Sequence, residues 1–400
     1  MGKFCFFLQA LFLCFLFDAA APALQAQESI LASYERNFIR ADLSAKLGVL
    51  RDAATDEKAG EFIGQLYDSV LRFSLQNADI LRGDPDFTAL TVFAVRGAGS
   101  AGYRPSVNTL WNVFTSFLDA SVRVEVLEAL SVLALGNSGL VENLIRFTAG
   151  QNDLFHAGIS LDYVTLSACI AALGALQDSS AVPVLFSIMR TNHPHPIPAE
   201  AEAALGELPW DNGQYLVEVI RRNDYPDKLA AFNAAINNST YNDAEKGTVA
   251  EAALEVGLDF FPGNGEGEKI LEELRYEAVR LIRDLQWNQA EPLVIRHFYR
   301  VRQGYEDGAV DREQFLEAIS CLGAMGTPEA ARVLSLQLGY LNLQMEQKGE
   351  YDDPVILEAV NALGGLGDKV AFENLLTAAN LSYPEHIQKA AREALVHLKW

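Results

Sequence analysis

The stretch Phe315–Pro328, FLEAISCLGAMGTP, carries the pattern that decides the fold of this chain. Phe315, Ile319, Leu322 and Met325 recur at steps of four, three and three residues, so they lie on one face of a helix. Glycine and alanine residues beside this apolar stripe leave room for a neighbouring helix to approach closely. The pattern therefore predicts a helix that is buried along one face.

The residues that follow Met325 predict a tight connection to another helix. Gly326 can adopt the left-handed conformation that ends a helix, and Thr327 can cap the next one. Pro328 suits the first helical turn, where its missing amide hydrogen is not needed. Two helices joined this tightly must fold back on each other, and their shared apolar faces become buried only when another pair stacks on them.

The four residues 322–325, LGAM, recur along the chain in varied form, and we call this four-residue pattern the phrase. Its fourth residue is found at Leu135, Leu176, Leu208, Leu285, Met325, Leu366 and Leu398. These anchors are 41, 32, 77, 40, 41 and 32 residues apart. The gap of 77 residues has room for one degraded repeat, which we place around 252–257, and an earlier copy is found at 93–97. Periods of this size are typical of solenoids.

The second helix of each repeat has a further pattern. The segment 387–395, IQKAAREAL, follows Pro384, and the segment 122–130, VRVEVLEAL, follows Asp119. Weaker copies occur at 274–282 and 198–206. A proline or aspartate followed by an apolar-basic pair and an alanine-rich helix resembles the HEAT-repeat family.

This resemblance implies an all-α fold, an α-solenoid of about seven to eight HEAT-like helical hairpins, over residues 85–400. Residues 27–84 also have helical periodicity but lack the recurring phrase. We therefore expect them to form an N-terminal helical cap. The resemblance further implies that partners bind along the solenoid surface.

Residues 1–26 have the order of a secretory signal peptide. The positive charge of Lys3 precedes the apolar run Phe4–Phe17, and Ala19–Ala26 is rich in small residues. The apolar run is shorter than the roughly 20 residues of an ordinary membrane span. We expect a mature protein that begins near Gln27 and is periplasmic or secreted. An uncleaved N-terminal anchor is the alternative.

The chain is strongly acidic, with 53 Asp and Glu residues against 31 Lys and Arg residues and a net charge of −22 at pH 7. Nucleic acid and anionic membrane surfaces repel such a chain, so neither is an expected partner. The same charge favours a basic protein partner.

The sequence contains neither a glycine-rich phosphate loop nor a Gly-x-Ser-x-Gly nucleophile elbow. Beyond the proposed signal peptide there are only two cysteines, Cys169 and Cys321, each in an apolar helical stretch. Two such residues do not make a disulfide framework, and they are expected to be small buried hydrophobes. We therefore expect no catalytic residues and no cofactor.

His193 and His195, which alternate with prolines in NHPHPIP, are the best candidates for a metal clip. The prolines favour an extended backbone, which directs the two rings to opposite sides, so we favour a structural loop and expect no metal. Some HEAT-like proteins are metal enzymes with repeated His-Glu pairs. This chain has no His-Glu dipeptide, and that departure argues against the enzymatic branch.

The segment 296–302, RHFYRVR, concentrates positive charge and aromatic rings, which are the side chains that dominate protein interfaces. The candidate partner-binding residues are Arg296, His297, Tyr299, Arg300, Arg302 and, at the C-terminal edge, Trp400. The alternative is an ordinary helix in which Phe298 points inward and the arginines are solvated.

The sequence therefore predicts an exported, non-enzymatic scaffold that binds a protein partner, in a bacterial cell envelope. Two alternatives remain open. One is a metal-dependent enzyme on a HEAT-like scaffold, and the other is a fixed structural component of an envelope machine.

We predict that export removes residues 1–26. Intact-mass analysis of the protein recovered from the exported fraction should give a chain that begins near Gln27, because the small residues before it suit signal peptidase. A chain that retains Met1 in the membrane fraction would instead establish the uncleaved anchor.

Overall fold

The structure is a computed structural model that describes residues 30–60, 62–209, 214–259 and 265–399. Regular structure in these ranges is helical, apart from one isolated parallel bridge between Asp368 and Lys399. The predicted all-α fold is confirmed. None of the described helices is both long and apolar enough to cross a bilayer. The proposed signal peptide at 1–26 and the candidate residue Trp400 lie outside the described residues.

The chain divides into two compact units, residues 1–209 and 210–400. The helices of the first are α1 (30–40), α2 (Leu43–Thr55), α3 (Ile63–Leu81), α4 (Pro85–Ser100), α5 (Val107–Ser116), α6 (Ala120–Leu133), α7 (Ser138–His156), α8 (Tyr163–Leu176), α9 (Val182–Arg190) and α10 (Ile197–Leu205). Those of the second are α11 (Gln214–Arg222), α12 (Tyr225–Asn237), α13 (Asp243–Asp259), α14 (Glu266–Leu285), α15 (Glu291–Glu306), α16 (Arg312–Ala324), α17 (Pro328–Lys348), α18 (Asp353–Leu366), α19 (Phe372–Asn380) and α20 (Glu385–Val396).

From α3 to α20, each odd-numbered helix packs against the even-numbered helix that follows it. In the first unit, the even-numbered helices α2 to α10 also pack one against the next. In the second unit, both the even-numbered helices α12 to α20 and the odd-numbered helices α11 to α19 do so. Helices α3 and α4 pack against each other and lie on either side of residue 84, where the sequence predicts the boundary between the cap and the repeats.

An aspartate caps the start of most even-numbered helices by accepting a backbone N–H bond. The capping residues are Asp42, Asp84, Asp119, Asp162, Asp224 and Asp311. In three of these helices the residue four positions later is basic and donates to a carbonyl at the end of the preceding helix, as Lys228 Nζ does to Ile220 O at 2.7 Å. The others are Lys46 and Arg123. One short segment thus caps the ends of two helices.

The turn after five of the seven anchors has the same left-handed backbone conformation. Gly326 has a φ of 67° and Thr327 accepts a hydrogen bond from the Ala330 amide at 3.2 Å, as the sequence predicts. The same left-handed conformation follows the anchors at Gln177 and Gln286, with φ values of 54° and 51°. The left-handed conformation that ends the helix therefore occurs at this position with glutamine as well as with glycine, and glycine adopts it with the least strain.

Small residues bring successive even-numbered helices together. A methyl group added at Gly323 of α16 would lie 2.9 Å from Ala362 Cβ of α18, closer than carbon atoms pack. Similar close contacts join Gly99 to Ala129, Gly174 to Ala204 and Gly364 to Ala394. The predicted role of glycine in close helix approach is confirmed at these positions.

The sequence placed the degraded repeat at the wrong helix. Residues 252–257 lie inside α13, an odd-numbered helix, whereas the even-numbered helix in the gap is α12. The cap that follows α12, Asn238, has an extended backbone with φ −67° and ψ 123°, so no left-handed turn marks its end. The segment 93–97 does lie in an even-numbered helix, α4.

We predict that Gly323→Val lowers the free energy of unfolding by about 1–3 kcal/mol more than Gly365→Val, because only the first position contacts the next helix. Gly365 is the matched control, since it lies near the end of α18 with open space around it. Urea unfolding followed by circular dichroism measures both. Equal losses in the two variants would contradict the close approach of α16 and α18.

Candidate functional site

Helix α15 carries the predicted partner-binding segment and has one apolar face. Pro292 lies in its first turn, and Val294, Phe298 and Val301 are buried at steps of four and three residues. Tyr299 points away from this face and is 43% exposed. The helix therefore presents part of the predicted segment to solvent and buries the rest.

Two predicted arginines of α15 are held at the surface by ion pairs. Arg296 Nη2 lies 2.9 Å from Asp259 Oδ1, and Arg302 Nε lies 2.9 Å from Glu306 Oε1. The Arg302 guanidinium also stands 4.6 Å from the ring centre of Tyr340 on α17. The Arg296 pair is exposed and contributes only about 0–1 kcal/mol, so Arg296 can exchange partners at little cost. The Arg302 side chain is only 26% exposed.

Helix α17 extends this surface with side chains that the sequence did not identify. Leu336 and Leu343 are 56% and 53% exposed, and they lie seven residues apart with Tyr340 between them, so all three share one face of α17. We call Arg296, Tyr299, Arg302, Leu336 and Leu343 the α15–α17 surface. The leucines were missed because α17 is apolar on two sides, and only packing shows which side is covered.

His297 does not belong to this surface, so its prediction as a partner-binding residue is wrong. It is fully buried, because it lies between Val294 and Val301 at steps of three and four residues. Its ring centre is 5.6 Å from that of Tyr276, and neither ring nitrogen has a hydrogen-bond partner. Burial, with smaller contributions from Arg275 and Arg300, lowers the pKa of His297 to about 3. The apolar spacing of α15 would have placed this residue inside.

Arg300 also points inward rather than onto the predicted surface. Its Nη1 donates to the carbonyl oxygen of Leu258, near the end of α13, at 3.1 Å. Burial, followed by the charge of Arg275, lowers the pKa of the Arg300 guanidinium. The segment 296–302 thus divides between the surface and the interior.

Behind α15 lies a buried polar group that we call the Arg275 cluster, formed by Arg275, Tyr276 and His297. Arg275 and Tyr276 are each 6% exposed, and the guanidinium carbon of Arg275 is 4.9 Å from the Tyr276 ring centre. Arg275 Nε, the Tyr276 hydroxyl and both His297 ring nitrogens have no hydrogen-bond partner. Each buried polar atom left in this state costs about 1–3 kcal/mol.

The two histidines of the candidate metal clip point to different environments. His193 is buried, and its Nε2 lies 2.8 Å from Asn152 Oδ1, while His195 is exposed. Burial, followed by the charge of His156, lowers the pKa of His193. The rings do not converge on one ion, and the described residues contain no group of three His, Cys, Asp or Glu side chains placed to hold a metal.

Both cysteines of the described chain are buried free thiols, as expected. Burial raises the pKa of Cys169 and of Cys321 to about 12. At neutral pH both are therefore protonated and unreactive, because the thiolate is the nucleophilic form.

A comparison with protein-family models finds none that matches this chain, and a comparison with curated proteins finds no significant similarity. The HEAT-like resemblance therefore rests on the sequence pattern of the chain itself.

We predict that His297 makes the protein acid-sensitive. Its pKa falls from the ordinary 6.5 to about 3 on folding, so the unfolded state binds more protons below pH 6.5 and stability is lost as the pH falls. Relative to a His297→Leu variant, the wild type should lose about 2 kcal/mol between pH 7 and pH 5. Urea unfolding at the two pH values measures this difference.

The exposed His195 provides the control for this experiment. His195→Leu removes an imidazole that is exposed in the folded state, so a difference between this variant and His297→Leu isolates the effect of burial. An unchanged pH dependence in His297→Leu would show that His297 is not buried in the neutral form.

Proposed function

We propose that this protein is an exported, non-enzymatic scaffold that binds a protein partner through the α15–α17 surface. One observation carries the proposal. Tyr299, Leu336 and Leu343 are exposed on the adjoining helices α15 and α17, where burial by a partner would remove apolar area from water. Arg302 of α15 contacts the ring of Tyr340, which lies between the two leucines on α17, and arginine and aromatic side chains dominate the energetics of protein interfaces.

The proposed architecture is a HEAT-like α-solenoid. Its support is the packing within each compact unit, where helices pair with their sequence neighbour and even-numbered helices pack on the even-numbered helices before and after them. The helices that lead to the anchors Leu135, Leu176 and Met325 each begin at an aspartate cap, and a left-handed residue follows each of these anchors. Stacked pairs of this kind leave the outer face of each row available to a partner.

The chemistry of the surface favours a partner with apolar anchor residues and a basic overall charge. The leucines and Tyr299 offer apolar contact, and Arg296 and Arg302 hold carboxylates that a basic partner can share. The net charge of −22 attracts a basic protein at long range and accelerates encounter.

The proposed location is the periplasm or the extracellular space. Its support is the sequence of residues 1–26, where a positive charge, an apolar run and small residues follow one another.

Cross-linked recovery of partners from the exported fraction tests this function. We predict that Tyr299→Ala combined with Leu336→Asp reduces recovery by about tenfold or more, because the pair removes an anchor and places a charge in the contact. Val396→Asp is the matched control, since Val396 is 82% exposed on α20 and outside the α15–α17 surface.

Thermal melting of both variants should match that of the wild type, because all three side chains are exposed. Recovery of the same partner by the Tyr299/Leu336 variant would reject this surface as the binding site. Recovery of no partner by the wild type, under several cross-linking conditions, would reject the scaffold function.

A further inference from the structure

A half-enclosed cavity of about 400 Å³ lies among α1, α2 and α3 of the first compact unit. Its lining includes Phe38 and Ile39 of α1, Lys46 of α2, and Leu66 and Phe73 of α3. The volume falls in the range of small-molecule sites, which are also lined mainly by apolar side chains. The cavity can therefore hold a small apolar molecule.

The cavity arises because α1 covers α3 only in part. Among residues 30–40 only Phe38 is buried, and its ring meets that of Phe73 edge-on, with 5.4 Å between the ring centres. Ile39, which also lines the cavity, is 75% exposed. A ligand on these side chains would remove apolar area from water, and that burial favours binding.

The Lys46 ammonium gives the cavity a buried positive charge. Its Nζ lies 4.4 Å and 5.0 Å from the ring centres of Phe38 and Phe73, and the residue is 7% exposed. It donates to the carbonyl oxygen of Phe38, and among the described residues no carboxylate forms an ion pair with it. Burial lowers the pKa of Lys46, and the charge of Asp42 only partly opposes this effect. An ammonium has three hydrogens, so two remain for a ligand.

Two other charged side chains line the cavity, and each already has a partner. Arg72 Nε lies 2.9 Å from Asp68 Oδ2, and Glu35 accepts a hydrogen bond from Ser69 Oγ at 3.0 Å. Glu35 lies about one turn of α1 before the phenylalanine whose ring contacts Lys46. An anionic ligand group is therefore attracted to one end of the cavity and repelled from the other.

Helix capping explains only part of the role of Lys46. Lys228 occupies the equivalent position on α12 and donates to Ile220 O at 2.7 Å, as Lys46 donates to Phe38 O. Lys46 differs in that its side chain also lines the cavity between α1 and α3. Lys228 is therefore the matched control for the capping role.

We propose that this cavity binds a small amphiphile that has an apolar body and one carboxylate group. The apolar body lies against Phe38, Ile39 and Phe73, and the carboxylate accepts hydrogen bonds from the Lys46 ammonium. Such a ligand supplies the negative charge that the ammonium lacks and covers the exposed apolar wall. The site shares no residue with the α15–α17 surface, so its test is independent of the proposed function.

Calorimetric titration of the full chain at pH 7 with octanoate, octanol and octylammonium tests the site. These probes share one alkyl chain and differ in charge. Octanoate should bind with one-to-one stoichiometry and about tenfold more tightly than octanol, and octylammonium should bind most weakly, because Lys46 attracts an anion and repels a cation. The proposal is overturned by no binding of octanoate, by a preference over octanol below about twofold, or by tighter binding of octylammonium.

Lys46→Met tests the charged contact. It removes the ammonium and retains an unbranched side chain, so octanoate should lose its preference over octanol. Lys228→Met loses the same kind of capping bond and should retain the preference of the wild type. The ratio of two affinities in one protein separates a lost ligand contact from a loss of stability. An unchanged ratio in Lys46→Met, or an equal change in Lys228→Met, would overturn the assignment to Lys46.

Ile39→Asp tests the apolar wall and keeps the proposal testable if Lys46→Met does not fold. Thermal melting should match that of the wild type because the side chain is exposed, while octanoate affinity should fall by about fivefold or more. Ile80→Asp is the control, since Ile80 is 80% exposed on α3 and does not line the cavity. Equal octanoate affinity in the Ile39 variant and the wild type would overturn the proposal.

Discussion

The structure depends on the close approach of successive even-numbered helices through glycine and alanine. A methyl group added at Gly323 would lie 2.9 Å from Ala362 Cβ, and one added at the equivalent glycines of the first compact unit would lie 3.1 Å from the facing alanine. Such proximity gains dispersion contacts along the whole helix, and it sets the distance at which the next pair must stack. Once this row is in place, the connecting turns decide where each odd-numbered helix lies.

The close approach of the even-numbered helices determines where large side chains can lie. The even-numbered helices contact one another through small side chains, so they have little space for large polar groups between them. The odd-numbered helices α15 and α17 carry the larger side chains, and their outer faces present Tyr299, Leu336 and Leu343. The Arg275 cluster lies between the rows, where α13, α14 and α15 meet and bulky polar residues can be enclosed. The α15–α17 surface is therefore a consequence of how the rows pack.

Local sequence signals predicted a large part of this arrangement. The apolar spacing before Met325 and the Gly326–Thr327 stop and start appear in the structure as a buried helix face and a left-handed turn. The helix α12 escaped detection because an extended residue, Asn238, ends it without a glycine. His297 was assigned to the surface by its chemistry, although the spacing of Val294 and Val301 already indicated the interior. Residue type was the weaker guide, and position in the helical period was the stronger one.

The sequence by itself determined the helical class, the ends of most helices and the inward face of each, because these depend on interactions within about four residues along the chain. Tertiary structure alone decided which exposed faces adjoin and which polar atoms are left without partners. Arg302 and Tyr340 are 38 residues apart, and Tyr276 and His297 are 21 residues apart, so each contact forms only when separate helices pack. A side chain becomes a surface anchor or a buried donor according to what the neighbouring helix covers, and that information is not local.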